Sequence, residues 1–220
     1  MGARVGVLRQ VFEEVDANVG ARMEAALKDL ERAGAEIVDS VEIPLMREKG
    51  AGATWYTRFR TDLETYLSQQ DGWAPVQNLE EILESGDYHP SIEERMQEAL
   101  EQPAPEENPA CLEVREKALK IREATLEAMD QREVDALIYP SWNYPPRLIG
   151  DLESPHGNNS SLLSPPTGFP AITVPMGFVE GDLPAGLQFL GRAWEEGTLI
   201  RLAYGYEQAT GHRRVPDLDG

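Results

Sequence analysis

Two stretches, Arg4-Val-Gly-Val-Leu8 and Ala35-Glu-Ile-Val-Asp-Ser-Val-Glu-Ile43, decide the fold class of this chain. Each is short and rich in β-branched residues, as a buried strand is. Between them Val19, Met23, Ala26, Leu27 and Leu30 recur at helical spacing. Asp16 stands where an N-cap belongs, and Gly34 where a helix stops. Strand, helix and strand joined by short connections form a βαβ unit, which predicts two parallel strands.

Working outward, the segment from about residue 53 to 133 reads as mostly helical. Thr54 to Gln69 carries Trp55, Phe59, Leu63, Tyr66 and Leu67 on one face. A short helix is predicted from Val76 to Leu83, ending at Ser85-Gly86. Pro90-Ser91 opens another, with Glu93 and Glu94 near its positive end. A Pro-rich connection over 101–109 leads to a long helix from about Leu112 to Met129, with a stripe of Val114, Ala118, Ile121, Thr125 and Ala128. Then Asp135-Ala-Leu-Ile-Tyr139 reads as a buried strand, Pro155 to Ser161 as a polar loop, and Ala171–Val174 and Gly186–Leu190 as two more strands. The last two are separated by a turn at Glu180-Gly181-Asp182. A final helix, about Thr198 to Thr210, stops at Gly211. The expected organisation is a βαβ start over 1–45, a helical segment over 46–133 and a strand-loop-strand-helix end over 134–220. This is α/β, with a helical insertion in the middle.

Charge narrows the partners. The 220 residues carry a formal net charge of −19, and residues 78–133 alone hold 16 Asp or Glu against 6 Lys or Arg. A surface of this sign repels phosphate backbones and anionic lipid, so neither nucleic acid nor a membrane is an expected partner. No apolar run approaches the ~20 residues of a membrane span, and the start lacks a signal-peptide layout. Cys111 is the single cysteine, which excludes an intrachain disulfide and suits a reducing, cytoplasmic setting. It falls in the loop-like Asn108-Pro-Ala-Cys111, without a histidine or second cysteine to activate it.

A search for catalytic machinery in the residues alone returns nothing complete. His89, His156 and His212 lack helical metal-ligand spacing and read as surface histidines, His212 as part of a basic tail with Arg213 and Arg214. No Gly-rich phosphate loop is present, and no cofactor or metal is expected. Ser160, Ser161 and Ser164 are the nearest features to a nucleophile. An activated serine needs a base within reach, and Lys28, Lys49, Lys117 and Lys120 all read as exposed positions.

The stretch Asn158-Asn-Ser-Ser-Leu-Leu-Ser-Pro-Pro-Thr-Gly-Phe-Pro-Ala-Ile-Thr-Val-Pro-Met-Gly-Phe178 and its continuation Leu183-Pro-Ala-Gly-Leu-Gln-Phe-Leu-Gly-Arg192 strongly resemble the C-terminal region of the amidase-signature family. Thr198 to Thr210 with His212-Arg-Arg follows the same pattern, and Asp135 to Ser141 is similar to the strand preceding this block. Within the pattern, Pro165, Pro166 and Pro170 are expected to hold an extended path to the strand at Ala171, with a tight turn at Gly168. The resemblance implies the last part of an α/β/α sandwich with a mixed sheet. It also implies carboxamide hydrolysis by a Ser, cis-Ser, Lys triad that lies beyond a Gly-Gly-Ser-Ser-Gly-Gly-like turn. Residues 1–220 contain no such turn, so no catalytic residue is assigned. Trp142, Asn158, Asn159, Leu162 and Ser164, where the family lines its acyl pocket, are the substrate-pocket candidates.

The expected function is therefore the C-terminal part of an amidase, inactive alone and completed by an N-terminal catalytic half or a second chain. A non-catalytic partner or structural subunit is one alternative, and an enzyme of altered mechanism is the other. Half of a shared sheet exposes a strand edge and an apolar face, so a homo-oligomer through that face is expected.

Overall fold

In the computed structural model, residues 2–47, 56–70 and 72–215 are described. They fall into two units, Met1–Ala51 with Leu119–Gly220, and Gly52–Ala118.

The first unit is built on a five-stranded sheet in the order β2-β1-β3-β5-β4. β1 (Arg4–Val7) pairs in parallel with β2 (Glu36–Asp39), as the βαβ pattern predicts, and in parallel with β3 (Ala136–Pro140) on its other side. β5 (Leu183–Leu190) runs antiparallel to β3 and to β4 (Ala171–Val179), making the sheet mixed. The β4–β5 hairpin turns through Glu180 and Gly181, both at positive φ, the backbone twist that a tight hairpin favours.

β2 is shorter than the sequence suggests. Beyond Asp39 the chain stays close to β1 through Val41 N–H to Val7 C=O, 2.9 Å. The Gln10 side chain then takes the role of a strand: its amide donates to Ile43 C=O and accepts from Ile43 N–H. Burial of Val41 and Ile43, which the apolar pattern reports, therefore needs no ladder there.

Helix α1 (Ala17–Arg32) begins where the sequence places it. The Asp16 carboxylate accepts from Asn18 and Val19 N–H, and Gly34 takes φ of 87° past the end. Its predicted stripe, Val19, Met23, Ala26, Leu27 and Leu30, is buried. α1 and α7 (Glu196–Thr210) touch each other and pack on the sheet. Phe189 meets the Tyr206 ring edge-on at 6.3 Å, so odd-numbered β5 residues face α7.

Gly6 shows how tightly β1 is enclosed. A Cβ there would stand 2.6 Å from Val41 Cγ2 and 3.0 Å from Leu137 Cδ2, so only glycine fits.

Helix α5 (Pro109–Gln131) starts three residues earlier than expected. Asn108 accepts from Ala110 N–H and Pro109 occupies the first helical position, so Asn108-Pro109 is a helix start and not a loop. Cys111 accordingly lies in the first turn of α5, its thiol 3.4 Å from Thr57 C=O. Ile121, Thr125, Ala128 and Met129 are buried, and Val114 and Ala118 only partly.

The second unit holds α2 (Tyr56–Ser68), α3 (Leu79–Ser85), α4 (Glu93–Glu101) and the start of α5. The expected helical residues Thr54 and Trp55 lie outside the described residues. Of the stripe on α2, Leu67 is buried and Phe59 and Leu63 are partly so, whereas Tyr66 faces solvent. α3 starts at Leu79 because Asn78 caps it, accepting from Glu81 N–H, and ends at Gly86 in the left-handed region. Among the described residues no helix is long and apolar enough to cross a membrane.

Candidate functional site

In open α/β sheets, ligands bind beyond the carboxyl ends of the parallel strands. Here β1 and β3 end side by side. After β1 the chain makes a single helical turn, Arg9–Val11, and passes Glu13 and Glu14 on its way to α1. After β3 it runs through Ser141, Trp142, Asn143 and Tyr144 into a loop that returns at Gly157-Asn158-Asn159.

Two asparagines stitch these segments together. Asn143 donates through its side chain to Val11 C=O (2.9 Å), and its backbone joins Gly157 and Asp16. Asn159 donates to Pro140 C=O (2.9 Å) and to Asn143 Oδ1 (2.7 Å), while its N–H reaches Ser141 C=O. Between the strand ends lies an open cleft of about 460 Å³, walled by Gln10, Glu13, Glu14, Asn143, Tyr144 and His156.

On the sheet face opposite α7 a row of uncharged polar groups crosses three strands. Tyr139, Gln188 and Thr173 share one register line. The Gln188 amide donates to Tyr139 Oη and to Ser160 C=O, each at 3.2 Å. The Thr173 hydroxyl lies 3.5 Å from Gln188 Oε1 and 3.0 Å from Ser141 Oγ. Burial pushes the Tyr139 phenol well above its ordinary range, so it stays a neutral hydrogen-bonding group. Gly186 leaves room for the Ser141–Thr173 contact: a Cβ there would lie 2.7 Å from Thr173 Cγ2 and 2.9 Å from Ser141 Oγ.

Of the five pocket candidates, four fall in the loop over this row and Ser164 opens the short helix after it. Trp142 pairs with Asn158 in an isolated antiparallel bridge and is 47% exposed. The Asn158 side chain accepts from Ser160 N–H and its hydroxyl. Asn159 is buried, with its side-chain N–H groups used as described, and Leu162 packs against the core. Ser164 donates its hydroxyl to Phe169 C=O at 2.6 Å. The cleft itself is walled by their neighbours. Gln10, Glu13, Glu14, Asn143 and Tyr144 were not singled out by sequence, because only the pairing of β1 with β3 brings them together. Their position just after two apolar strands was the available signal.

Pro165 and Pro166 correct an expectation of extended chain. They sit in the first turn of a one-turn helix, α6 (Ser164–Thr167), where a missing N–H costs nothing. Gly168 ends it at φ 66°. Arg122 of α5 hydrogen-bonds Thr167 C=O and lies over the Phe169 ring, 4.6 Å from its centre.

His212 is also placed differently from the sequence expectation. It is half-buried, with Nε2 3.2 Å from Asp29 Oδ2 and its ring 6.2 Å from Tyr206. His89 and His156 are exposed.

What can this arrangement do? The row is a neutral frame bonded within itself, with Tyr139 and Gln188 buried, and among the described residues it holds no activated nucleophile. Ser141, Ser160 and Ser164 bond to Thr173, Asn158 and a carbonyl. Lys28, Lys117 and Lys120 are exposed, and Lys49 lies outside the described residues. A Ser–His hydrogen bond does occur, His89 Nδ1 to Ser91 Oγ at 2.8 Å, but it caps an exposed helical turn. Among the described residues no three His, Cys, Asp or Glu gather as a metal site would require.

Comparison with known proteins bears on the family and the fold. A sequence model of the Amidase family matches residues 1–200. The A subunit of glutamyl-tRNA(Gln) amidotransferase from a Synechococcus species is 28% identical, across 99% of this chain and 44% of its own length. Its counterpart from Myxococcus xanthus is 29% identical, across 94% of this chain and 45% of its own. Among solved structures, the native peptide amidase of Stenotrophomonas maltophilia superposes with a TM-score of 0.77 and 29% identity, covering 100% of this chain and 45% of that one. The chain thus spans less than half the length of these relatives, and it belongs to the amidase family.

Proposed function

We propose that this chain is the C-terminal portion of a carboxamide C–N hydrolase, which shapes and orients the acyl side of the substrate and is inactive alone. The observation that carries this is an ordered, uncharged polar row beside Ser141, Ser160 and Ser164, whose hydroxyls are bonded to Thr173, Asn158 and a carbonyl and not to a base. A neutral frame held on a rigid sheet suits a site for an amide, which carries both donors and an acceptor and no charge. The nucleophilic serine, bridging serine and lysine come from an N-terminal catalytic half or from a second chain supplying it. The peptide amidase and amidotransferase likenesses support this class of substrate without choosing among its members. Trp142, Asn158, Asn159, Leu162 and Ser164 then form the frame of the acyl pocket. Without its partner the chain self-associates, and the single cysteine fits a cytoplasmic setting.

The test is direct. The purified chain is incubated with a panel of aliphatic, aromatic and peptide carboxamides, and ammonia release is followed. No release above background is expected. Release that disappears in Ser161→Ala or Ser164→Ala would show a complete enzyme of altered mechanism and end this proposal.

A further inference from the structure

The loop that leaves Tyr144 and returns at Gly157 holds Leu148 and Ile149 in water, 82% and 107% exposed, with Leu152 and Trp142 also open. Large apolar side chains cost free energy in that setting unless something covers them. The loop is not loosely held. Arg147 Nε donates to Ser154 C=O at 2.5 Å, and the Asp151 carboxylate accepts from Glu153 and Ser154 N–H at 3.0 Å each. Asp151 N–H closes on Leu148 C=O, and the Trp142–Asn158 bridge clamps the base. Four polar clamps therefore present two aliphatic side chains outward in a fixed shape. This is the form of an interface anchor.

We infer that the Leu148–Ile149 knob is the docking anchor for the polypeptide that fills the rest of the relatives' length. The inference rests on the proposed function. Two observations choose this occupant. More than half of each matched relative lies outside the region this chain covers. The loop also springs from the carboxyl end of β3, next to that of β1 and beside the cleft, where a catalytic group supplied from outside would have to arrive. A second exposed apolar stripe, Trp194, Ile200 and Tyr204 around α7, has no such relation to the cleft and serves as the control.

The experiment co-expresses the tagged chain with the part of the Stenotrophomonas maltophilia peptide amidase that it does not cover, and measures co-purification. Capture by the unaltered chain is expected. Capture should fall about tenfold or more in Leu148→Ser with Ile149→Ser, and stay unchanged in Ile200→Ser with Tyr204→Ser. Circular dichroism and a melting curve confirm that each variant is folded, and the single change Ile149→Glu repeats the test should the double variant misfold. Equal capture by knob variants and unaltered chain would overturn the inference. So would an unaltered chain that captures nothing, or that instead forms a dimer which the knob variants abolish. Failure of the functional proposal looks different: a captured pair, sensitive to the knob, that hydrolyses no carboxamide.

Discussion

The sheet unit buries Tyr139, Phe169, Phe189 and Tyr206 almost completely, whereas the helical unit over 52–118 rests on Leu79, Met96 and Ala99 with partly covered neighbours. The first is held by many long-range contacts through both faces of a sheet. The second is held more by local devices: the Asn78 cap, the Asn108-Pro109 start and the His89 turn. Small cores bury little apolar area against the same entropy cost per residue, so such units open at lower free energy. The pair teaches where this chain can tolerate change. Surface charge is concentrated in this smaller unit, where residues 78–118 hold 12 Asp or Glu against 3 Lys or Arg.

The sharpest way to break the comparison is to cut each core. Phe189→Ala should cost about 3–5 kcal/mol, read as lost stability in urea, and should raise amide exchange throughout β1, β3, β4 and β5. Leu79→Ala costs about 2–5 kcal/mol by the same reasoning, but the exchange increase should stay within α2, α3 and α4. Faster exchange in the sheet after Leu79→Ala would mean one cooperative body, and the contrast would be lost.

Next in size is Gly186→Ala. Overpacking against Thr173 and Ser141 should destabilise by about 1–3 kcal/mol. Pairing it with Thr173→Ser, which removes the closest methyl, should recover much of that loss. No recovery would show that the glycine is needed for another reason.

Caps give smaller effects, and they sharpen the contrast. Asp16→Ala and Asn78→Ala should each weaken their helix by about 1 kcal/mol. The same loss is a larger share of the small unit's stability. Local exchange in α3 should therefore rise more than in α1, and equal responses would speak against unequal reserves.

The smallest expected effect is a pH response in the knob. Hydrogen bonds from the Ser154 hydroxyl and from the Ser154 and Glu153 N–H groups hold the Asp151 carboxyl below its usual range. A depressed folded value means the contribution is present above the unfolded range and is lost as pH falls through the folded one. Amides of Glu153 and Ser154 should lose protection on acidification. In Asp151→Asn that protection should not vary with pH, and a variant that still titrates would remove Asp151 as the cause.

Much of the fold was legible because periodicity and punctuation agree. The α1 stripe, its Asp16 and Gly34 boundaries, the Glu180-Gly181 turn and the Gly211 stop are local signals with local causes. Asn108-Pro109 and Pro165-Pro166 were harder, because proline marks both a loop and the first turn of a helix. The candidate site was legible only as a region. Pattern pointed to Trp142, Asn158 and Asn159, which flank the cleft lining, but not to Gln10, Glu13 and Asn143 within it, these being distant in sequence and joined only across parallel strands.

By itself the sequence determined the class of fold, the parallel β1–β2 pair and the likeness to amidases, since these follow from side-chain period, turn chemistry and one contiguous block. Tertiary structure alone decided that Gln10 replaces a strand at Ile43, that His212 meets Asp29, and that Tyr139, Gln188 and Thr173 align. Such contacts depend on sheet order and register, and these are settled by long-range burial that no local pattern encodes.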